Sequence, residues 1–364
     1  MARRPAVDLA ILGSNLVACA IAREAARAGA KVRLVDPGVL TPSGPVPGAV
    51  LGWTRAEPTS PLNGLRGLGL ERLAAWVKGI EADAGQHVAL GEGALIPAFE
   101  MQGLQQIHQK AAWLKEGGRP FKAMTAGDAR ALEPGLPEDV VAALSVPEDV
   151  VTDRQALRRA LAAGAAEAGA QLYLGTPILG LIEGPRGAVA GVRVPEGPLE
   201  AAVTIVCTDI GPGPSALPVS VQRQPVLTLQ EGRWPRRTIW SPEGYITPDL
   251  HGNVHVVGPI KGASLDPRLT TEEMMHLLNL ATTLTPALSE LPVGPSGVIN
   301  HEISADGLPI VGPDEAVSLL QVRALGDDEL VLAPIIAPLV VEYLQTGRTE
   351  SADWSALSPL RLRS

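Results

Sequence analysis

The first 36 residues constrain the fold more than any other part of the chain. Residues 7–12 (VDLAIL) form a short apolar run that ends at Gly13, and residues 15–28 carry strong helix-forming residues. A second apolar run, residues 31–35, ends at Asp36. A strand, a glycine turn, a helix and a strand in this order predict a βαβ unit, in which the two strands are parallel. The sequence therefore predicts an α/β fold with a parallel sheet.

The turn of this unit has the layout of a dinucleotide-binding site. In such sites a pyrophosphate lies at a helix N-terminus, glycines let the backbone approach it, and an acid about 20 residues on binds a ribose hydroxyl. Gly13 has the first glycine position, Ser14 follows it, and Asp36 has the position of the acid. Asn15 and Ala18 stand where the second and third glycines are expected. Asn15 departs from the pattern, although asparagine adopts left-handed backbone more readily than most residues. A βαβ unit that binds nothing remains the alternative.

Composition excludes several classes of protein. The 364 residues predict about two domains, and the 6 His, 2 Cys and 11 aromatic residues exclude a disulfide scaffold, a multi-cysteine metal protein and an aromatic-rich sugar or RNA platform. A net charge of −9 argues against a nucleic-acid partner. Cys19 and Cys207 are expected to be buried, reduced thiols.

Neither end of the sequence predicts a membrane partner. Asp8 and the polar residues 13–15 interrupt the apolar stretch that superficially resembles an export signal. The 12-residue apolar run 330–341 contains Pro334 and Pro338 and is too short to span a bilayer. We expect a cytoplasmic protein, and the sequence leaves open whether it forms a homo- or hetero-oligomer.

Further helices and strands follow from local patterns. Short β-like runs separated by Gly-Pro turns fill residues 171–206 and recur up to residue 258. The loop 39–63 is rich in Gly, Pro, Ser and Thr, and its length favours a functional role. Composition and capping residues predict helices over 67–84, 102–115, 154–168, 270–284 and 328–344.

Several motifs in sequence order resemble one family nearly end to end. The family is the FAD-dependent oxidoreductases of the D-amino acid oxidase, glycine oxidase and sarcosine oxidase type. The most specific motif is Asp306-Gly307-Leu308-Pro309-Ile310-Val311-Gly312, which is followed about 20 residues later by Leu332-Ala333-Pro334. Further matching segments are 41–52 (TPSGPVPGAVLG), 133–136 (EPGL), 151–157 (VTDRQAL) and 245–248 (YITP) running to His251-Gly252.

The resemblance implies two interleaved domains. A Rossmann-like FAD-binding domain with a parallel sheet would comprise residues 1–60, 150–215 and 305–364. A mixed-sheet α+β substrate domain would comprise residues 61–149 and 216–304.

The resemblance also implies FAD as cofactor, and oxidation of the C–N bond of a small amine or amino acid by hydride transfer to flavin N5. It assigns Tyr245 and His301 to substrate binding, and it assigns no catalytic base. A strand tyrosine in the core and a surface histidine are the plain alternatives. The residues assigned to FAD are Gly13, Ser14, Asn15, Ala18, Asp36, Ser43, Gly44, Ile178, Thr208, Gly326, Glu329 and Leu330.

Three departures from the family pattern concern the site. Residues 297–303 (GVINHEI) lack the arginine that binds a substrate carboxylate in the family, and the loss of such a charged pair costs about 1.5–3 kcal/mol. His301 could substitute if protonated, with Glu302 as an alternative partner. Asp209 stands in a turn near the cofactor, and residues 325–329 (LGDDE) bring acids to a loop that would lie over the flavin. At the start of the last helix such acids could instead cap the helix with no ligand nearby.

The departures leave two hypotheses. One is an FAD enzyme that acts on a small amine, and the other is a non-catalytic family member that serves as a subunit or binding module.

Overall fold

The structure, a computed structural model, describes residues 8–38, 45–208, 217–249, 251–262 and 266–363. Eight α-helices lie in these ranges: α1 (Leu16–Arg27), α2 (Gly52–Arg55), α3 (Asn63–Ala84), α4 (Met101–Glu116), α5 (Ala126–Leu132), α6 (Arg154–Glu167), α7 (Thr271–Leu284) and α8 (Glu329–Thr346).

A six-stranded, mostly parallel sheet is built from three distant parts of the chain. The strand order is β18-β19-β12-β1-β2-β8, and the outermost strand β18 is antiparallel to its neighbour. The strand that precedes the first helix, β1, pairs in parallel with β12 on one side and with β2 on the other. The strands are β1 (Asp8–Leu12), β2 (Lys31–Asp36), β8 (Gln171–Leu174), β12 (Val203–Val206), β18 (Ile310–Pro313) and β19 (Leu319–Arg323). The predicted α/β fold with a parallel sheet is confirmed.

The main core lies between this sheet and helices α1, α3, α6 and α8. Most side chains of helix α1 are small and apolar, which lets the helix pack tightly against α6 and α8. Helix α8 continues through Pro334 and Pro338 and is long and apolar enough to cross a membrane. It packs against α1 and α3, and 11 of its residues from Glu329 to Val340 are buried, so its apolar character is that of a core helix.

Two small sheets complete this half of the molecule. A three-stranded antiparallel sheet covers the second face of the parallel sheet and contributes to an apolar cluster there. A two-stranded pair connects the region after β2 with the region before α6. The strands are β9 (Gly180–Glu183), β10 (Val189–Val194) and β11 (Gly197–Glu200), and β3 (Ala49–Val50) with β7 (Val150–Val151).

An eight-stranded mixed sheet forms the other half, as predicted for the substrate part. Its order is β17-β13-β16-β15-β14-β4-β6-β5, and helix α7 covers one face over a second apolar core. Thr270 begins α7 through a reciprocal pair of bonds with Glu273, as the sequence indicates. The strands are β4 (Glu92–Ala98), β5 (Lys122–Thr125), β6 (Ala142–Val146), β13 (Val219–Leu229), β14 (Arg237–Ser241), β15 (Gly244–Pro248), β16 (Val254–Val257) and β17 (Gly297–Ser304).

The loop predicted over residues 39–63 is partly ordered secondary structure. Strand β3 and helix α2 lie within it, and α3 begins at Asn63 rather than at residue 67. Helix α2 is stabilised by Asp149, whose carboxylate accepts hydrogen bonds from the backbone N–H groups of Trp53 (2.9 Å) and Thr54 (2.6 Å). Local sequence patterns do not contain information about a partner 95 residues away, so they did not predict helix α2.

Candidate cofactor and substrate site

Gly13 forms the turn between β1 and α1 and requires glycine. Its φ is +114°, and a Cβ atom there would lie 3.2 Å from Cβ of Thr208 and 3.3 Å from the carbonyl carbon of Cys207. Its N–H donates to the carbonyl oxygen of Val35 at 2.8 Å. The turn therefore brings the N-terminus of α1 to the carboxyl ends of β2 and β12, the edge where doubly wound folds bind ligands.

Asn15 caps helix α1 and has ordinary extended backbone, so this position does not use the left-handed conformation that asparagine tolerates. Its φ is −61° and its ψ is 171°. The side-chain oxygen accepts from the N–H of Ala18 at 2.9 Å, and the side-chain amide donates to the carbonyl oxygen of Cys207 at 2.8 Å. Asn15 thus ties the start of α1 to the end of β12 and satisfies one of the free N–H groups of the helix.

Glu329 places a carboxylate on the same helix terminus. One oxygen, Oε1, accepts from the N–H of Val17 at 3.1 Å, and the other is paired with the Arg154 guanidinium. The residue is 5% exposed. The sequence analysis placed the acids of this loop either near the flavin or as a cap for their own helix. The structure shows a third arrangement, in which the acid at the start of α8 caps α1.

Asp36 lies at the end of β2 with a carboxylate oxygen that has no partner. The residue is 6% exposed, and among the described residues Oδ2 is buried without a hydrogen bond. A buried acceptor without a donor is costly unless a ligand or water supplies one. The orphaned oxygen therefore fits the ribose hydroxyl that the sequence assigned to Asp36.

A cavity of about 520 Å³ lies in front of this edge, between the start of α1 and strand β17. Of the residues assigned from the sequence, those that line it are Asn15, Thr208, His301, Gly326 and Glu329. Ser14, Ala18 and Leu330 are buried beside it, and Ile178 packs into the apolar cluster on the second face of the parallel sheet. Ser43, Gly44 and Asp209 lie outside the described residues.

His301 is held by a polar chain that fixes its tautomer. Asp327 can only accept, so the amide nitrogen of Gln224 donates to it at 3.1 Å. The amide oxygen of Gln224 then accepts from Nε2 of His301 at 2.8 Å. Nδ1 of His301 is consequently an acceptor with no hydrogen bond to any described residue, and it lies 4.0 Å from the position that a Cβ on Gly326 would take, at the cavity wall.

The structure excludes two alternatives that the sequence left open for His301, a surface position and a pair with Glu302. The histidine is 7% exposed, so it is not a surface histidine, and Glu302 pairs with Arg323 rather than with it. Successive residues of a strand face opposite sides, which separates the two side chains. Burial lowers the pKa of His301 despite the nearby Asp327, so the imidazole is neutral at pH 7. It therefore supplies no cation for a carboxylate.

Tyr245 lies on β15 and faces a small apolar cluster that includes Val226 and Val257. It is 7% exposed and is not part of the wall of the 520 Å³ cavity. Burial raises the pKa of its hydroxyl far above the ordinary value. The charge of Asp327 also acts on this hydroxyl, so Tyr245 lies near the site, and direct contact with a substrate stays a prediction.

Three arginines of the described part of the site are each paired with an acid. Arg154 pairs with Glu329, Arg323 pairs with Glu302, and Arg55 contacts Asp327 at 2.9 Å. Burial opposes the charge of Asp327, but Arg55 and the hydrogen bond from Gln224 help to outweigh it and hold the pKa of this carboxyl below its ordinary value. A substrate carboxylate would have to break one of these pairs to find an arginine.

The parallel sheet, the Gly13 turn and the orphaned Asp36 carboxylate together define a dinucleotide-binding fold joined to a mixed-sheet half. The family model for FAD dependent oxidoreductases matches residues 8–343, and the chain belongs to this family. FAD is the cofactor of the family, as the sequence resemblance implied.

Curated relatives and solved structures agree with this assignment. The bifunctional protein ThiO/ThiG of Nostoc is 24% identical over 94% of the chain, and the chain spans about half (53%) of that relative's length. The glycine oxidase of Geobacillus kaustophilus is 24% identical over 94% of both chains. A crystal structure of glycine oxidase from the same organism superimposes with a TM-score of 0.86 at 22% identity, covering 97% of this chain and 98% of the other. This likeness shows the fold.

Two features of the described residues are compatible with bound FAD, and a third opposes it. Asp36 fits the adenosine ribose, and the cavity beyond the α1 N-terminus offers room along β17. The pyrophosphate would need the N-terminal N–H groups of α1, where the Glu329 carboxylate is bound. Two like charges 4 Å apart repel by about 4 kcal/mol at an effective dielectric constant of 20. The cofactor fits once this carboxylate leaves Val17.

Proposed function

We propose that the chain is an FAD-dependent oxidoreductase that oxidises the C–N bond of a small amine lacking an α-carboxylate. The observation that carries this proposal is the neutral His301: within the part of the chain that the structure describes, its Nδ1 is an unused acceptor at the wall of a cavity whose neighbouring arginines Arg55, Arg154 and Arg323 are paired. An amine N–H group suits such an acceptor, whereas a carboxylate has no unpaired cation to bind.

The chain's own residues would bind, orient and deprotonate. Asp36 would accept from the ribose hydroxyls, and the Gly13 turn lets the backbone approach the cofactor. The flavin, when bound, would supply N5 as the hydride acceptor. His301 would accept an N–H hydrogen bond and keep the amine neutral, because hydride loss from carbon needs the nitrogen lone pair. Gln224 keeps the acceptor face of the imidazole turned to the cavity.

The proposal is tested with the purified protein loaded with FAD and a panel of amines. Each amine is paired with the amino acid that carries the same side chain and an α-carboxylate, and flavin bleaching is followed without oxygen. We expect the amines to reduce the flavin faster than their amino acids. The variant His301→Ala should slow the reduction by about 10²-fold or more, whereas Gln222→Ala, on the same strand β13 as Gln224, should not. Equal rates for wild type and His301→Ala would contradict the proposal.

The position of Glu329 favours a second candidate, the non-catalytic family member. A carboxylate bound at the cofactor helix stabilises the fold without FAD. In that case the purified protein is colourless and added FAD does not bind. A yellow protein whose flavin no amine reduces would support a binding role with retained cofactor.

A further inference from the structure

The carboxylate of Glu329 is chemically similar to what the cofactor would bring to the same place. We propose that Glu329 is a built-in competitor of the FAD pyrophosphate, so that FAD binds only when this side chain releases the N–H group of Val17. The inference rests on the proposed function only in that FAD is the ligand. It concerns how the cofactor enters and is independent of which substrate is oxidised.

Three contacts hold the carboxylate in position. Oε1 accepts from Val17 N at 3.1 Å, the positive end of α1 points toward it, and Arg154 pairs with its second oxygen. The residue is buried, so water competes little with these contacts. An anion bound at a helix N-terminus by backbone N–H and an arginine reproduces the way in which such sites hold phosphate.

The competition follows from the number of donors. Ala18 N is taken by the Asn15 side chain and Val17 N by Glu329, so two N–H groups of the first turn are already bonded. A pyrophosphate that binds at this turn would find those two N–H donors occupied and would be repelled by the Glu329 carboxylate. Release of Glu329 would return the Val17 N–H and would also free Arg154, which lines the cavity, to face a phosphate.

The experiment measures FAD binding to the full-length apoprotein by calorimetry and by quenching of flavin fluorescence. The test variant is Glu329→Gln, which removes the charge and keeps the size of the side chain. The matched control is Asp328→Asn, which removes the charge of the preceding residue. That carboxylate binds Arg66 at 2.8 Å and makes no contact with α1 in the described structure.

We expect Glu329→Gln to bind FAD about 10- to 100-fold more tightly than wild type, the value of one charged hydrogen bond. Asp328→Asn should bind FAD as wild type does. A folded Glu329→Gln that binds FAD no more tightly than wild type, or that does not bind it, would overturn the proposal.

A second variant covers the case in which the uncharged side chain prevents folding. Glu329→Asp keeps a partner for Arg154 but is one methylene shorter and draws back from Val17, so FAD binding should again tighten. Unchanged binding by folded Glu329→Asp would refute the proposal in that case. Neither readout requires turnover, so a failure of the amine assay remains distinguishable from a failure of this inference.

Discussion

Buried carboxylates in this chain hold backbone N–H groups at helix starts. Asp149 binds two N–H groups of α2, and Glu329 binds one of α1. Each acid comes from a segment far away in sequence, so it fastens two parts of the chain as well as capping a helix. The two acids differ in their neighbours, because Glu329 is paired with Arg154 whereas, among the described residues, Asp149 has only a weak charge interaction with Lys110.

Asp149 should make folding stability depend on pH. Burial raises its pKa from 3.8 to about 6, although the bonds from Trp53 and Thr54 act in the opposite direction. The folded state therefore binds more protons than the unfolded state between these two values. The stability contribution is fully present below pH 4 and is lost as the pH rises through 6, by roughly 3 kcal/mol for a shift of about two units.

The measurement is urea unfolding of wild type and Asp149→Asn between pH 4 and pH 7.5. Asparagine does not titrate, so the free energy of unfolding of wild type minus that of the variant should fall as the pH rises. A difference that stays constant or grows with pH would show that Asp149 is ionised throughout this range in the folded protein.

The residues of the site were only partly predictable. Gly13 and Asp36 were identified because their spacing within one βαβ unit is a local pattern. The tautomer of His301 depends on Gln224, 77 residues away, and the bond between Glu329 and Val17 joins residues 312 positions apart. No periodicity or spacing carries such information. Only the unusual acids of segment 325–329 indicated that the loop is special.

At the level of elements, helices α3 and α8 approach each other so closely that a side chain is excluded at one position. A Cβ atom on Gly69 would lie 1.9 Å from the carbonyl oxygen of Val331. The contact joins the helix after the first cofactor loop to the helix that carries Glu329. The position of Glu329 at α1 therefore depends on this glycine.

The variant Gly69→Ala should lower the free energy of unfolding by about 1–3 kcal/mol, because the two backbones must separate. Gly64→Ala is the matched control in the same helix, since nothing lies within 4 Å of its Cβ position. It should leave stability unchanged or raise it by up to about 1 kcal/mol. Thermal or urea unfolding of both variants measures the difference, and equal effects would contradict the close approach.

Elements that are local in sequence were predicted well, and their arrangement was not. The β1–α1–β2 unit, α7 with its Thr270 cap and α8 with its two prolines agree with the sequence predictions. The order of strands in the parallel sheet requires pairs such as Thr204 with Leu319. Partners separated by more than 100 residues are selected by packing of the whole sheet, which a single sequence does not display.

At the scale of the whole molecule, both cysteines are buried in the main core. Cys19 and Cys207 are free and buried, as the sequence predicted. Burial raises the pKa of the Cys19 thiol to about 12 and that of Cys207 also well above the ordinary value. A thiol reagent reacts with thiolate and needs access, so neither group should react in the folded protein.

We expect no modification by a chromogenic disulfide reagent at pH 8 in native buffer and two thiols per chain in urea. The rate should follow global unfolding, since Cys19 lies within α1 and Cys207 directly follows β12. If one thiol reacts rapidly in native buffer, the expectation is contradicted, and the parallel sheet opens locally near that cysteine.

The bond from Glu329 to Val17 has a consequence for the order of synthesis. The ribosome makes the first helix early and the residue that caps it 312 positions later. At 5–20 residues per second, the helix start waits roughly 15–60 s for its carboxylate. During that interval Glu329 cannot bind the N–H group of Val17, so this cap on α1 forms only after the last helix has been made.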